Sequence, residues 1–178
     1  MTAHTLTLFL HVFSALILFF AFGIEWTAIS FLGKAQNSDE ASLWLRLAKL
    51  APVINGPALL VAILSGGFLA SIIHAFKQGW VSASFVGIAI VALIGGAINV
   101  PKMRAIRLAI SGGGTALAAA LQTKALPVSV RLRTFTTLAI VFTMVVKLQS
   151  FAQCLLVLLG GLILGLLFSI PVFGRKAA

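Results

Sequence analysis

Residues 6–32 read LTLFLHVFSALILFFAFGIEWTAISFL, and this stretch decides the class of fold. Glu25 is the only formally charged residue within it. About 20 apolar residues in a helix that rises 1.5 Å per residue match a hydrocarbon core of roughly 30 Å. The stretch lacks the alternation of apolar and polar residues that is typical of membrane β-barrels. It therefore predicts a membrane-spanning α-helix.

The composition of the whole chain has the same character. Of its 178 residues, 61% are hydrophobic and 9% are charged, whereas soluble domains carry roughly 25% charged residues. The formal net charge is +10, but the basic residues lie between apolar blocks, where they orient helices and meet anionic lipid headgroups. We therefore expect the bilayer as the partner and no nucleic acid. The single cysteine, Cys154, excludes an internal disulfide.

Four further apolar blocks predict an all-α, polytopic transmembrane bundle that forms a single domain over residues 1–178. The expected spans are residues 6–32, 53–76, 82–100, 130–147 and 151–173, with a helical excursion on the cytoplasmic side over residues 102–129. The uninterrupted apolar run at residues 134–146 is short for a span. The alternative is therefore a four-span protein in which this run is re-entrant.

The distribution of basic residues favours five spans. Of the 13 lysines and arginines, only Lys77 and Lys147 fall on one side of the five-span arrangement. The others fall in the first loop, the third loop and the tail. Because basic residues favour the cytoplasmic side, the sequence predicts an outside amino terminus and a cytoplasmic carboxyl terminus. The expected location is the bacterial inner membrane.

The first loop has the pattern of a short surface helix. Asn37 and Glu40 have the spacing of a capping box, in which each side chain bonds a backbone N–H at the start of a helix. An apolar stripe follows at Leu43, Leu47 and Leu50. This predicts an amphipathic helix that lies on the membrane surface, and a plain loop is the alternative.

Ionisable groups inside a membrane are costly, so each is a candidate for function. Glu25 lies roughly 10 Å from the inner end of the first span at 1.5 Å per residue. Asn99 and Asn55 are expected at a similar depth, and the long side chain of Lys102 is expected to reach toward it. Glu25, Asn99 and Lys102 together form a candidate proton or ion site. The alternative is a structural carboxylate that bonds Asn99 or pairs with Lys102 or Lys34.

Two histidines form the second candidate site. His11 and His74 lie about eight residues outward from the middle of the first and second spans, which is roughly 12 Å at 1.5 Å per residue. Neutral imidazoles on neighbouring helices are ligands for haem iron or copper. Lys147 approaches the same outer layer. The alternative is that these amphipathic rings simply favour the membrane interface.

Small residues indicate how the helices pack. Gly161 and Gly165 form a G-x-x-x-G pair in the last span, and such pairs allow close approach of helix backbones. The pattern does not distinguish a contact within the chain from a homo-oligomer or another membrane partner.

Two short stretches resemble known families. The opening Leu10-His11-Val12-Phe13-Ser14-Ala15 and the helix ending Met144-Val145-Val146-Lys147 are similar to the copper-resistance protein D family, the membrane-type protoporphyrinogen oxidase family and related integral-membrane families. The resemblance implies a helical bundle with haem or copper held at its histidines. It also implies that His11 is the family histidine and that Lys147 is the lysine that ends the helix.

Three classes of function follow from these patterns. The favoured class is a haem- or copper-associated protein for redox chemistry or metal handling that uses His11 and His74. The second is a small proton-coupled transporter that uses Glu25. The third is a non-catalytic membrane subunit that packs through its glycine faces. No sequence motif for a catalytic nucleophile is present, so enzyme activity is not decided.

Overall fold

The computed structural model describes residues 2–112 and 114–173, and this part of the chain is helical with short turns and no strand. The α-helices, in chain order, are α1 Ala3–Leu32, α2 Ser38–Ile72, α3 Gly79–Ile94, α4 Val100–Gly112, α5 Gly114–Leu121, α6 Ala125–Val146, α7 Phe151–Leu167 and α8 Ile170–Phe173. A 3₁₀ turn, Ala75–Lys77, follows α2, and a π-helical segment, Gly95–Asn99, joins α3 to α4. Gly113 and the basic tail residues Arg175 and Lys176 lie outside the described residues.

Five helical stretches in this part of the chain are long and apolar enough to cross a membrane, which confirms the predicted all-α bundle. They are Ala3–Leu32, Ser38–Ile72, Gly79–Ser111, Ala116–Val146 and Phe151–Val172. Most are longer than predicted. The 30 residues of α1 span about 45 Å at 1.5 Å per residue, which exceeds a hydrocarbon core of roughly 30 Å. One end of the bundle therefore projects beyond the apolar layer.

The projecting end is the basic one. There α1, α2, α4, α5 and α6 enclose a small apolar core that includes Leu32, Leu45, Ile106 and Leu126. We call this the basic end, because it carries most of the charged side chains: Lys34, Arg46, Lys49, Lys102, Arg104, Arg107, Lys124 and Arg131. Lys77 and Lys147 lie at the opposite end.

α1 and α2 form an antiparallel hairpin that packs along its whole length. At the opposite end His11 contacts Ala62 of α2. At the basic end the ring of Phe31 stacks on Trp44, with 4.6 Å between the ring centroids. These two contacts define the register, which places Glu25 of α1 level with residues 49–50 of α2.

The predicted surface helix is wrong, because residues 38–50 are the first turns of α2, which continues through Pro52 and Pro57. Its predicted start is confirmed: Asn37 Oδ1 accepts a hydrogen bond from the Glu40 backbone N–H at 2.9 Å. The predicted apolar stripe, however, faces outward, and Leu43 is 61% exposed. The buried face carries Ala41 and Leu45 instead, since small side chains let α2 approach α1 closely.

The third span also differs from its prediction, because it does not end before Pro101. It continues into α4 through the π-helical segment, where the Val100 N–H bonds the Gly95 carbonyl five residues back. Proline lacks an N–H and its ring clashes with the carbonyl four residues earlier. A wider π turn directly before the proline relieves this clash, and π-bulges of this kind are frequent at functional sites.

α3, α6 and α7 pack as a second group through glycines. A Cβ atom at Gly161 would lie 2.8 Å from the Ala139 Cβ, and one at Gly165 would lie 2.9 Å from the Leu132 Cα. The G-x-x-x-G pair of the last span therefore packs against α6 within the chain. The α1–α2 hairpin meets this group mainly through α1 and α6, whereas α2 and α3 barely touch.

Candidate functional site

The polar centre of the bundle is the carboxylate of Glu25, which is 4% exposed. Its Oε1 atom forms an ion pair with the guanidinium Nη2 of Arg133. The same oxygen accepts a hydrogen bond from Asn99 Nδ2 at 2.6 Å. The positive charge of Arg133 and the amide of Asn99 therefore both stabilise an ionised carboxylate. Three elements, α1, the π-helical segment and α6, each supply one member of this triad.

Local backbone features place the two partners of Glu25. Asn99 is the last residue of the π-helical segment, so the extra residue in that turn sets the direction in which its amide points. The side chain of Arg133 passes over Gly95, where an added Cβ would lie 3.5 Å from Nη1. Its guanidinium carbon also lies 5.5 Å from the centroid of the Phe22 ring. This is within the range of a cation–π contact.

Asn99 bonds Glu25 as predicted, but the cation beside the carboxylate is Arg133 and not Lys102 or Lys34. Lys102 is exposed and makes no described contact with Glu25. Arg133, by contrast, is 8% exposed and bonds the carboxylate. A lone acidic side chain within a span requires a cation as partner. The planar guanidinium group of arginine matches the geometry of a carboxylate better than the ammonium group of lysine does. From these two facts Arg133 could have been identified in the sequence.

Several polar atoms around this triad have no hydrogen-bond partner in the described part of the chain. They are Asn55 Oδ1, Asn99 Oδ1 and Arg133 Nε. Buried polar atoms are nearly always bonded to protein or water, and leaving one unsatisfied costs about 1–3 kcal/mol. Two acceptors and one donor are therefore left without a hydrogen-bond partner in the described part of the chain.

All three residues line one cavity of about 420 Å³. Most of its wall is apolar, with side chains such as Phe19, Leu59 and Ile140, and the polar triad lies in the same wall. The lining runs from His11 to Glu25, which are 14 residues apart on α1, or about 21 Å at 1.5 Å per residue. The cavity is therefore long and narrow.

The cavity opens to the side of the bundle, between α2 and α3. These two helices line it from opposite sides but barely pack against each other. Five of the lining residues on this side are exposed, namely Lys49, Pro52 and Gly56 of α2, Ala92 of α3 and Val100 of α4. The cavity is therefore open on the lateral surface of the bundle.

The structure does not bring His11 and His74 together. His11 Nδ1 lies 3.0 Å from the Ala62 carbonyl oxygen and 3.3 Å from Ser65 Oγ. Since a carbonyl only accepts, Nδ1 donates the hydrogen bond to Ala62. His74 is exposed in a left-handed conformation with φ 51° after the end of α2. Gly66 contacts the His11 ring, and His74 lies eight residues after Gly66. Eight residues correspond to a rise of about 12 Å along a helix.

The arrangement therefore does not fit a haem or copper centre that needs both histidines. In addition, no group of three or more His, Cys, Asp or Glu side chains within residues 2–112 and 114–173 could hold a metal ion. Instead, the His11 ring fills the space above Gly66, where an added Cβ would lie 2.8 Å from its Cε1 atom. His11 thus joins α1 to α2 and forms the far end of the cavity.

The remaining candidate, Lys147, ends α6 with φ 54° and is exposed. It does not line the cavity, whereas Met144, one turn earlier, does. A comparison of the chain with models of known protein families, with curated protein sequences and with solved structures finds no match. The geometry of the cavity is thus the basis for any functional conclusion.

Proposed function

We propose that the chain is a five-span protein of the bacterial inner membrane that binds a single-chain amphiphile in the cavity between α2 and α3. The observation that carries this proposal is that the three residues with an unpartnered polar atom, Asn55, Asn99 and Arg133, all line one mostly apolar cavity. The apolar part suits a hydrocarbon chain, and the polar atoms suit a head group.

The expected orientation supports this arrangement. The basic end faces the cytoplasm, because basic residues favour that side, and the amino terminus then lies outside. Twenty residues separate Gly79 from Asn99, which corresponds to about 30 Å of helix and to the thickness of the hydrocarbon core. If Gly79, near Lys77, marks the outer boundary, the triad lies at the inner boundary, at the depth of lipid headgroups.

The charges around the triad indicate the kind of head group. Arg133 and Glu25 neutralise each other, so the polar wall carries no net charge apart from exposed Lys49 at the same level. Asn55 Oδ1 and Asn99 Oδ1 are acceptors without a donor, and Arg133 Nε is a donor without an acceptor, in the described part of the chain. An uncharged head group that both donates and accepts, such as an alcohol or an amide, satisfies these atoms. An isolated ionised group gains less, because the ion pair is already closed.

The proposal bears on the three classes of function that the sequence suggested. A redox protein of the expected kind needs both histidines at one site, and they lie apart. A transporter needs an access path to Glu25, and the cavity offers one that begins in the bilayer. Amphiphile binding is therefore closer to the transport class, with a lipid-like molecule rather than a proton as the cargo.

Mass spectrometry of an organic extract of the protein, purified in mild detergent, tests the proposal. Gly56 lines the cavity and has no atom within 4 Å of an added Cβ, so Gly56→Leu adds an apolar side chain at the cavity wall at a position with room for its Cβ. Gly67→Leu is the matched control, because Gly67 lies on the same helix, is equally open and does not line the cavity. We expect one amphiphile per chain in the wild type and in Gly67→Leu, and strong depletion in Gly56→Leu. Equal amounts in the two variants would refute the proposal.

A further inference from the structure

The opening of the cavity between α2 and α3 is confined to the half that contains the triad. The exposed lining residues farthest from the triad are Gly56 of α2 and Ala92 of α3. Ala92 precedes Asn99 by seven residues, or about 10 Å at 1.5 Å per residue. Beyond this level the described lining residues are buried or half-buried, among them Leu59 and Ile88. The half of the cavity far from the triad is therefore more enclosed than the half near it.

The far end of the cavity lies within the bundle. The last residues that line it there come from four different helices, and they are His11, Ala62, Ile88 and Met144. α1 continues for eight residues beyond His11 and α3 for nine beyond Ile88, which is at least about 12 Å at 1.5 Å per residue. Neither of these two continuations lines the cavity. The cavity therefore has a closed end among these four residues.

His11 is held in one orientation at this closed end. Its Nδ1 atom donates a hydrogen bond to the Ala62 carbonyl oxygen at 3.0 Å and lies 3.3 Å from Ser65 Oγ. The ring occupies the space that Gly66 leaves, where an added Cβ would lie 2.8 Å from Cε1. Side chains without such contacts change between staggered rotamers, whereas these contacts fix the imidazole. His11 is therefore suited to stop a hydrocarbon chain at one position.

The length and the volume of the cavity give similar limits for a hydrocarbon chain. Met144 follows Arg133 by 11 residues on α6, or about 17 Å at 1.5 Å per residue. An extended chain advances about 1.3 Å per carbon, given bonds of about 1.5 Å at tetrahedral angles, so this length fits about 13 carbons. A methylene group occupies about as much space as a water molecule, roughly 30 Å³, so the volume of about 420 Å³ holds about 14 of them.

We propose that His11 limits the chain length of the bound amphiphile, an inference that rests on the proposed binding function. The head group lies at Asn55, Asn99 and Arg133, and the tail extends from there toward His11. A tail of about 14 carbons fills the cavity and places its terminal methyl group against the imidazole ring. A longer tail has to fold back or leave part of itself outside, so its additional carbons gain no contact with the cavity wall.

Thermal stability of the purified protein in a neutral detergent tests this role of His11. The probes are straight-chain primary alcohols from decanol to eicosanol, each added at the same mole fraction of the micelle. An alcohol provides an uncharged head group that both donates and accepts hydrogen bonds. We expect the melting temperature to rise with each added carbon as far as about tetradecanol and to rise no further, because only carbons within the cavity bury additional apolar surface.

Variants at two positions should move this limit in opposite directions. His11→Ala, or His11→Asn if the hairpin needs a donor to Ala62, removes the ring and should extend the limit by roughly two to four carbons, because about one helical turn of 5.4 Å is then free. Ala15 lines the cavity one turn closer to the triad, so Ala15→Leu should shorten the limit by a similar amount. Ala89→Leu is the matched control, since Ala89 is exposed on α3 and does not line the cavity, and it should leave the limit unchanged.

The outcomes separate the role of His11 from the proposed function. No stabilisation of the wild type by any of the alcohols would overturn both. Stabilisation with the same chain-length limit in the wild type and in the His11 variants would overturn only the role of His11, because the alcohols would then bind without meeting the imidazole ring.

Discussion

The ion pair between Glu25 and Arg133 allows a quantitative test of the structure. Both side chains are at least nine-tenths buried, so removal of one leaves the other charged and uncompensated. Breaking a buried pair in this way costs about 3–5 kcal/mol of folding free energy. We therefore expect Glu25→Leu and Arg133→Met each to lower the free energy of unfolding by an amount in this range.

The double variant should be much less harmful than the sum of the single variants. Replacement of a whole buried pair by apolar residues of similar size is often nearly neutral. Asn99 then loses its bond to the carboxylate, and one unsatisfied amide costs about 1–3 kcal/mol. We expect the double variant to lose only this amount, so that the coupling free energy between the two positions is at least about 3 kcal/mol.

Reversible unfolding by SDS in mixed micelles, followed by tryptophan fluorescence, measures these differences. A suitable control is Arg104→Met, which removes an exposed arginine at the basic end and should change the stability by less than about 0.5 kcal/mol. Additive effects of Glu25→Leu and Arg133→Met would refute the reasoning. They would mean that both side chains reach water separately rather than each other.

Three further predictions follow from the packing and the orientation. Gly161→Leu should destabilise the bundle by about 1–3 kcal/mol because it overpacks the contact with α6. At Gly160 an added Cβ meets no atom within 4 Å, so Gly160→Leu should be nearly neutral, and thermal unfolding compares the two variants. Asn37→Ala removes the cap of α2 and should cost about 1 kcal/mol in the same assay. A topology reporter inserted in residues 39–43 should be cytoplasmic and one at Lys77 external; the reverse result would contradict the proposed orientation.

Much of the architecture could be predicted from composition and charge. Each span must satisfy its own backbone hydrogen bonds within the membrane, so a long apolar block can only be a helix there. The five spans and the cap at Asn37 therefore followed from local sequence. Helix ends were less predictable. The chain continues as helix through Pro52 and Pro101, because helices in membranes tolerate proline where neighbouring helices and local adjustments support the backbone.

The candidate site could be predicted only in part. The sequence identified Glu25 and Asn99, since a buried acid needs partners and few polar residues lie at that depth. It also predicted the same membrane depth for His11 and His74. The depth of two residues does not determine whether the helix faces that carry them are in contact. The register of α1 against α2 brings Ala62 and Ser65 to His11, and the end of α2 leaves His74 at the surface.

The sequence by itself determined that the chain is a membrane-spanning helical bundle, because hydrophobicity and charge act locally along each segment. Only the tertiary structure decided that Arg133 is the partner of Glu25 and that a cavity separates α2 from α3. Both depend on helix rotation and on the small offset of the π-helical segment before Pro101. Rotation about a helix axis leaves the hydropathy of the segment unchanged, so the apolar pattern of the sequence does not encode it.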